Sequence, residues 1–326
     1  MKKINLRFIA AVVTLVFAHL AWPGLSLAEY PEKPVILICA FAAGEPMDTT
    51  ARTIAEMAKK HFPQPLVVVN RPGAAGTIGA AEAIRAKPDG YTIGITGVSA
   101  LAVQPHRTKL PYGPPDDYTP IIRLVNLPQL LVVKSTSPWK NAKEFIDYSK
   151  KNPGKIRVAH SGLGTISQID MEQLKEAAKV DLTLVPFSGS ADSVLAVLGG
   201  HVDAAIVNPP PVIPHFKAGT VRPIGVFEED RNEIFPDTPT FKELGYDITM
   251  GIYFAIIGPK GLPTEITGRI HEAVKKSLEE PAFAKMMKES GSPIAYEGPE
   301  ALSKRLHREY KQNRKFVEAL KTPGKK

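Results

Sequence analysis

The stretch Phe41-Ala42-Ala43-Gly44-Glu45-Pro46-Met47-Asp48 decides how this chain is read. It follows an apolar run at 35–40 and precedes Ala51, Ile54, Ala55 and Ala58 at helical spacing, with Arg52, Glu56 and Lys59 between them. An apolar run, a Gly-containing turn and an amphipathic pattern read as strand, turn, helix. The turn then lies at the carboxyl end of a strand, where open α/β sheets bind ligands. Free N–H groups at the helix start favour an anion there. Asp48 would place its own carboxylate in the helix's first turn. Two roles fit it: capping the helix, or touching a ligand.

The same unit recurs outward from this stretch. A strand at 66–69 leads into the small-residue loop 70–76, with Thr77 placed to cap a helix over 78–86. The turn Lys87-Pro88-Asp89-Gly90 precedes a strand at 91–96 and then Gly97-Val98-Ser99. The Pro-rich segment 111–120 reads as a surface loop. Near Asn126 the pattern restarts with a strand at 130–134 and a helix at 142–151, ended by Asn152-Pro153-Gly154. A strand at 156–160 meets Ser161-Gly162-Leu163-Gly164-Thr165-Ile166-Ser167-Gln168, which opens a helix expected to bury Ile169, Leu174 and Ala177. Thr165 and Gln168 have capping-box spacing. This turn carries no acidic residue, so its N–H groups and hydroxyls make a better carboxylate cradle than the first turn. A purely structural capping role is the alternative.

Further on come a strand at 182–185, the turn 186–190, a helix at 191–198 and a strand at 204–207 that ends at Asn208, followed by three prolines. Short strands at 221–226 and 253–257 and helices at 264–279 and 299–320 close the pattern. The alternation predicts an α/β fold with mostly parallel sheet flanked by helices.

Residues 1–28 read as a secretory signal: Lys2, Lys3 and Arg7, then an apolar run at 8–20, then Ser26-Leu27-Ala28, with cleavage expected after Ala28. The run is short for a membrane span, and the remainder is long enough for two modest α/β domains. The formal charge of +8 comes from 41 basic and 33 acidic residues, and removing the three signal-segment cations leaves about +5. The basic residues after 304 alternate with Glu309 and Glu318 on a helical pattern, which reads as a solvated face, and no nucleic-acid partner is expected. The single cysteine, Cys39, sits in the first strand as a small apolar residue and excludes an intrachain disulfide. His160, His201 and His215 show no metal-ligand spacing, and neither His-Glu-x-x-His nor Gly-x-Ser-x-Gly occurs. No metal, cofactor or catalytic residue is expected. Gly162-x-Gly164-x-x-Ser167 approaches a dinucleotide fingerprint, but its third position is Ser and Asp181 precedes its strand. Gly/Ser/Thr turns without a nucleophile–base pair suit a binding protein, in which two domains enclose a small anion by charge-assisted hydrogen bonds and close by a hinge.

Taken together, the turns carry a family resemblance. The pieces are Tyr30-Pro31-x-Lys33-Pro34, Phe41-x-Ala43-Gly44-x-x-x-Asp48, Asn70-Arg71-Pro72-Gly73-Ala74-x-Gly76, Lys87-Pro88-Asp89-Gly90-Tyr91-Thr92, Ser161-Gly162-x-Gly164-Thr165, Val185-Pro186-Phe187-x-Gly189, Gly199-Gly200-x-Val202-Asp203 and Phe235-Pro236-Asp237-x-Pro239-Thr240. In this order the sequence resembles the Bug (TctC-like) solute receptors of tripartite tricarboxylate transporters. The resemblance implies a periplasmic two-domain clamshell: one domain from 29–127 with 254–326, the other from 128–253. It implies a small organic acid as ligand, delivery to a membrane carrier of a large and a small subunit, and a monomer. Carried onto this chain, Phe41, Ala43, Gly44, Glu45 and Asp48 would cover one end of the ligand. Ser161, Gly162, Thr165 and Ser167 would hold a carboxylate. Phe187, Ser188, Gly189 and Asp203 or Asn208 would complete the pocket, with Ser99 and Ala100 as weaker candidates.

Two departures stand out. Where the family commonly has Pro-Ala-Gly-Gly this chain has Ala42-Ala43-Gly44-Glu45, and where it commonly has Tyr and Lys this chain has Phe187 and Ser188. Glu45 either points to solvent and favours the helix dipole or faces a ligand that carries a donor or positive group. The less polar side at 187–188 makes an aromatic or longer-chain acid as credible as citrate. A ligand sensor feeding a signalling partner, or an enzyme on the same scaffold, is the alternative function.

Overall fold

The computed structural model of the chain describes residues 30–248 and 251–320, so the signal segment and its cleavage point lie outside the described residues. Val35–Cys39 (β1) is apolar and β-branched, is buried at four of its five positions and encloses the free thiol of Cys39. Pro46–Ala58 (α1) follows, with proline in its first turn, where the missing N–H costs nothing. It buries Met47, Ala51, Ile54, Ala55 and Ala58 against that strand's sheet. Leu66–Asn70 (β2), Thr77–Ile84 (α2) and Thr92–Gly97 (β3) repeat the unit, and β2 and β3 pair parallel on either side of β1. Thr77 does not cap α2. Gly76 holds the N-cap position at φ +88°, and the Thr77 hydroxyl donates back to the Ala74 carbonyl at 3.0 Å.

Tyr118–Leu127 (β4) begins inside the segment read as a surface loop. Its prolines mimic a loop signal. Pro120 sits near the strand's start, at a register irregularity in its pairing, and a proline is tolerated there. The chain then crosses to a second sheet. Leu130–Lys134 (β5), Ala142–Lys151 (α3), Arg157–His160 (β6), Ile166–Ala178 (α4), Thr183–Pro186 (β7), Ser190–Leu198 (α5), Ala204–Val207 (β8), Pro209–Lys217 (α6) and Val221–Val226 (β9) build it in strand order β7-β6-β8-β5-β9. Helix α4 buries Ile169 and Leu174, but Ala178 and not Ala177 faces the core. Helix α6 was not anticipated. Its three leading prolines occupy the first turn, where no N–H has a partner to lose.

Ile252–Pro259 (β10) returns the chain to the first sheet, followed by Thr264–Glu279 (α7), Pro281–Glu289 (α8), Ile294–Glu297 (β11) and Pro299–Leu320 (α9). Helix α8 and strand β11 were also unread. The first sheet has the order β11-β4-β10-β3-β1-β2. Both sheets are mixed. The β1–β2, β1–β3, β6–β7 and β6–β8 pairs are parallel, whereas β10 and β5, the strands next to the crossings, run antiparallel to both neighbours. The two sheets have separate cores, one around Leu37, Ile54 and Ile122 and the other around Val133, Phe145 and Phe241. The first turn of α4 also sends Ile166 and Ile169 into a cluster with Leu101 and Leu302 of the first half. The result is an α/β clamshell of two domains.

Candidate functional site

Asp48 shows how the first turn is built. Gly44 at φ +85° turns the chain, and its N–H donates to Asp48 Oδ2 at 2.9 Å. Asn70 Nδ2 donates to Asp48 Oδ1 at 2.8 Å and to the Phe41 carbonyl at 3.0 Å, and Arg52 Nε donates to Asp48 Oδ2 at 3.0 Å. Burial alone would raise the carboxyl, but Arg52, the Gly44 N–H and Asn70 together hold it below the usual range. Its oxygens are engaged within the chain, so Asp48 shapes the turn instead of facing a ligand. Ala43 is exposed and stands outside the cavity that Phe41 and Glu45 line.

The turn after β6 is tied by hydroxyls. Ser161 N–H donates to Ser167 Oγ at 3.2 Å, and the two Oγ atoms lie 2.6 Å apart. Thr165 Oγ1 donates to the Gly162 carbonyl at 2.7 Å and lies 2.8 Å from Ser167 Oγ. Ser167 is fully buried beneath Ser161 and Thr165, so it supports the rim, and Gly162 also lies off the cavity lining. The expected capping box is displaced by one residue: Gln168 Oε1 accepts from Gly164 N–H at 2.7 Å. His160 Nδ1 donates to the Gly162 carbonyl at 2.9 Å, and burial holds the imidazole below its ordinary value, hence neutral.

One cavity gathers residues from both halves: Phe41, Glu45, Ala75, Ser99, Leu127, Ser161, Thr165, Gly189, Ser190, Asn208, Ile252 and Phe254 are among its walls. About 50 Å³ of it is open to water. Glu45, Thr165, Gly189 and Asn208 are the N-cap residues of α1, α4, α5 and α6, so four helix N-termini converge here. Asn208 is fixed by Ser190, whose Oγ donates to its Oδ1 at 3.1 Å, and by donation from its Nδ2 to the carbonyl of Pro128 on the first crossing at 3.2 Å. No Lys, Arg or His lines the cavity among the described residues, and Glu45 is its one charged group.

Both rims are bridged. Ile166 N–H donates to Ser99 Oγ at 3.3 Å, and Gln104 Nε2 donates to the Gly164 carbonyl at 3.0 Å. On the other side Glu45 lies so close to Gly189 that a Cβ there would be 2.5 Å from Glu45 Oε1, so a larger residue at 189 would push the Glu45 carboxylate aside. Burial raises the Glu45 carboxyl, and Asp192 raises it further.

Four expected residues lie elsewhere. Asp203 precedes β8, at the strand end opposite Asn208, and its carboxylate accepts from Arg157 N–H at 2.8 Å and Arg157 Nε at 3.2 Å. Ser188 is exposed and donates to Asp192. Phe187 packs against a cluster around Val132, Val207 and Phe235, and Ala100 is buried with Leu101 and Leu302 and does not line the cavity. Conversely, Ala75, Ser190 and the crossing-strand residues Leu127, Ile252 and Phe254 were not anticipated. Ala75 follows β2 at φ +53°, beside Ala74 at φ +48°. Two alanines held in the left-handed region mark a strained turn at a strand's carboxyl end, the place where function concentrates. The strand-end rule applied to β2 would have found Ala75.

Two α/β domains closing helix N-termini around a small cavity define a solute-binding protein. The model of the tripartite tricarboxylate transporter family receptor matches residues 50–321. A Cupriavidus necator relative, the UPF0065 protein in the gbd 5′ region, is 33% identical over 274 residues, covering 84% of this chain and 83% of its own. The periplasmic binding protein BugD superposes with a TM-score of 0.80 at 31% identity, over 89% of this chain and 98% of its own. MatC from Rhodopseudomonas palustris, with bound malate, gives 0.80 at 29% identity, over 88% of this chain and all of its own. The chain belongs to the tripartite tricarboxylate transporter receptor family of periplasmic solute-binding proteins.

Proposed function

We propose that this chain captures a small organic acid in the cleft between its two domains and hands it to a membrane carrier of the tripartite tricarboxylate type, without chemical turnover. One observation carries the reading. Four helix N-termini converge on one cavity that has no basic side chain among its described walls, and those of α1, α4 and α5, each equivalent to roughly half a positive charge, offer main-chain N–H groups, whereas the all-proline first turn of α6 offers none. Such a site holds an anion by main-chain N–H groups and hydroxyls. The malate in MatC supports the acid as ligand class. The hydroxyls on the walls bond to one another and to main-chain or amide oxygens, not to a histidine, which suits binding over catalysis. On this reading 29–127 with 254–326 form one domain and 128–253 the other, the precursor is cut after Ala28, and the receptor acts as a monomer.

Thermal melts of the chain from Glu29, stripped of co-purified ligand, test the reading against mono-, di- and tricarboxylates, their amides, aromatic acids and amino acids. A ligand at about a hundred times its dissociation constant adds roughly 2.7 kcal/mol to stability. At least one acid should give such a shift. A folded, stripped protein that no acid shifts would refute acid capture.

A further inference from the structure

Glu45 occupies a position that a plain diacid receptor would keep free of negative charge. It lines the inner cavity and also an outer groove of about 230 Å³ walled by Thr49, Thr50, Ala191, Pro210 and Met286, so it stands at the end of the inner cavity. Among the described residues neither space has a Lys, Arg or His in its walls. The carboxylate rests on Gly189, the N-cap of α5, and Asp192 lies in that helix's first turn. Two acidic side chains of the protein itself therefore already answer the positive end of α5. A second carboxylate from a ligand would meet them with like charge and little water between. Elsewhere on the cavity wall, the α4 N-terminus at Thr165 and the Ser161 hydroxyl have no acidic partner among the described residues.

We propose that Glu45 selects an acid of mixed ends: a carboxylate held on the α4 side, at Ser161 and Thr165, and an N–H donor, amide or ammonium, directed at Glu45. The ligand class is thus an amide- or amino-bearing carboxylic acid and not a simple dicarboxylate. This rests on the cleft being the acid site. The half-buried, charge-disfavoured state of Glu45 agrees with it, since a donor from the ligand would supply a partner that no described residue is seen to give.

Isosteric pairs test the selection: succinate with succinamate, glutarate with glutaramate, adipate with adipamate, and the ω-amino acid of each length. Calorimetric titration of wild type should show the amide or amine binding at least about tenfold more tightly than the diacid of equal length, in keeping with a hydrogen bond to a charged group. Glu45→Gln should bring that ratio close to one or invert it, chiefly by improving diacid binding. Glu45→Gly, which leaves the turn's backbone undemanding, should act in the same direction. If wild type prefers the diacid, or both variants keep the wild-type ratio, Glu45 does not select the ligand although the cleft still binds acids. If neither diacids, amides nor amino acids bind, the acid-receptor reading itself falls, and this inference with it.

Discussion

Asp48 and Asp203 are both acidic residues beside a strand end, and both serve the chain's own framework. Asp48 was ambiguous in the sequence because an Asp in a helix's first turn looks alike whether it caps, clamps or binds. Asn70 and Arg52, which settle the matter, approach it from another strand and from the next helical turn. Asp48→Ala should leave the Gly44 N–H and the half-buried Asn70 amide without this acceptor and cost about 1–2 kcal/mol in denaturant unfolding. The folded-state pKa is depressed, so this stabilisation is present above the unfolded carboxyl value and is lost as pH falls through the folded one. The stability gap between wild type and Asp48→Asn should therefore narrow in strong acid, as thermal melts from pH 7 down to pH 3 would record. A gap of constant size would contradict the clamp. Asp203 was misplaced for a simpler reason. It enters β8 whereas Asn208 leaves it, and only the leaving end faces the cleft.

At the scale of elements, periodicity and turn chemistry exposed the units bounded by Gly, Asn and Pro, and α7 and α9 have the bounds their spacing predicts. Prolines hid the rest. Strand β4 contains Pro120, and α6 opens with Pro209, Pro210 and Pro211 and carries Pro214 inside. Rules against proline apply to helix interiors and central strands, and they fail at first turns and near strand starts. Pro214 is the one α6 proline that does break the helical ladder, and it is exposed. Pro214→Ala should restore a main-chain donor and raise the denaturation midpoint by the equivalent of about 1 kcal/mol, the helix-interior penalty being offset in part by the unfolded chain's greater freedom. An unchanged or lowered midpoint would mean that the local geometry at 214 is set by packing alone.

At the scale of the molecule, two sheets joined by crossings after Leu127 and between Val226 and Ile252 set the cleft. The alternation of strands and helices revealed the α/β class. It could not reveal that Leu127, Ile252 and Phe254 wall the cavity, because crossing strands acquire their neighbours only when both sheets are assembled. The second crossing carries a proton-sensitive group. Burial pushes the Glu228 carboxyl up to about 7, with Arg123 opposing and Glu229 and Asp230 adding to the rise. A folded-state pKa raised above the unfolded value gives stability that is full below the unfolded carboxyl value and is lost as pH rises from there through about 7. Thermal midpoints of Glu228→Gln should therefore fall less than those of wild type between pH 5 and pH 8. Parallel curves would assign the pH dependence elsewhere, with the completely buried Asp170, raised in the same direction, the first place to look.

The acid is proposed to sit between the two sheets, against the helix N-termini. Calorimetric titration of wild type and Ser161→Trp with the best-stabilising acid addresses it most directly, since Ser161 is on the cavity wall and only about 50 Å³ lies open beside it. Wild type should show one site per chain, and Ser161→Trp should still melt cooperatively but bind about a hundredfold or more weaker, some 2.7 kcal/mol. Equal binding by both proteins would place the acid outside the cleft.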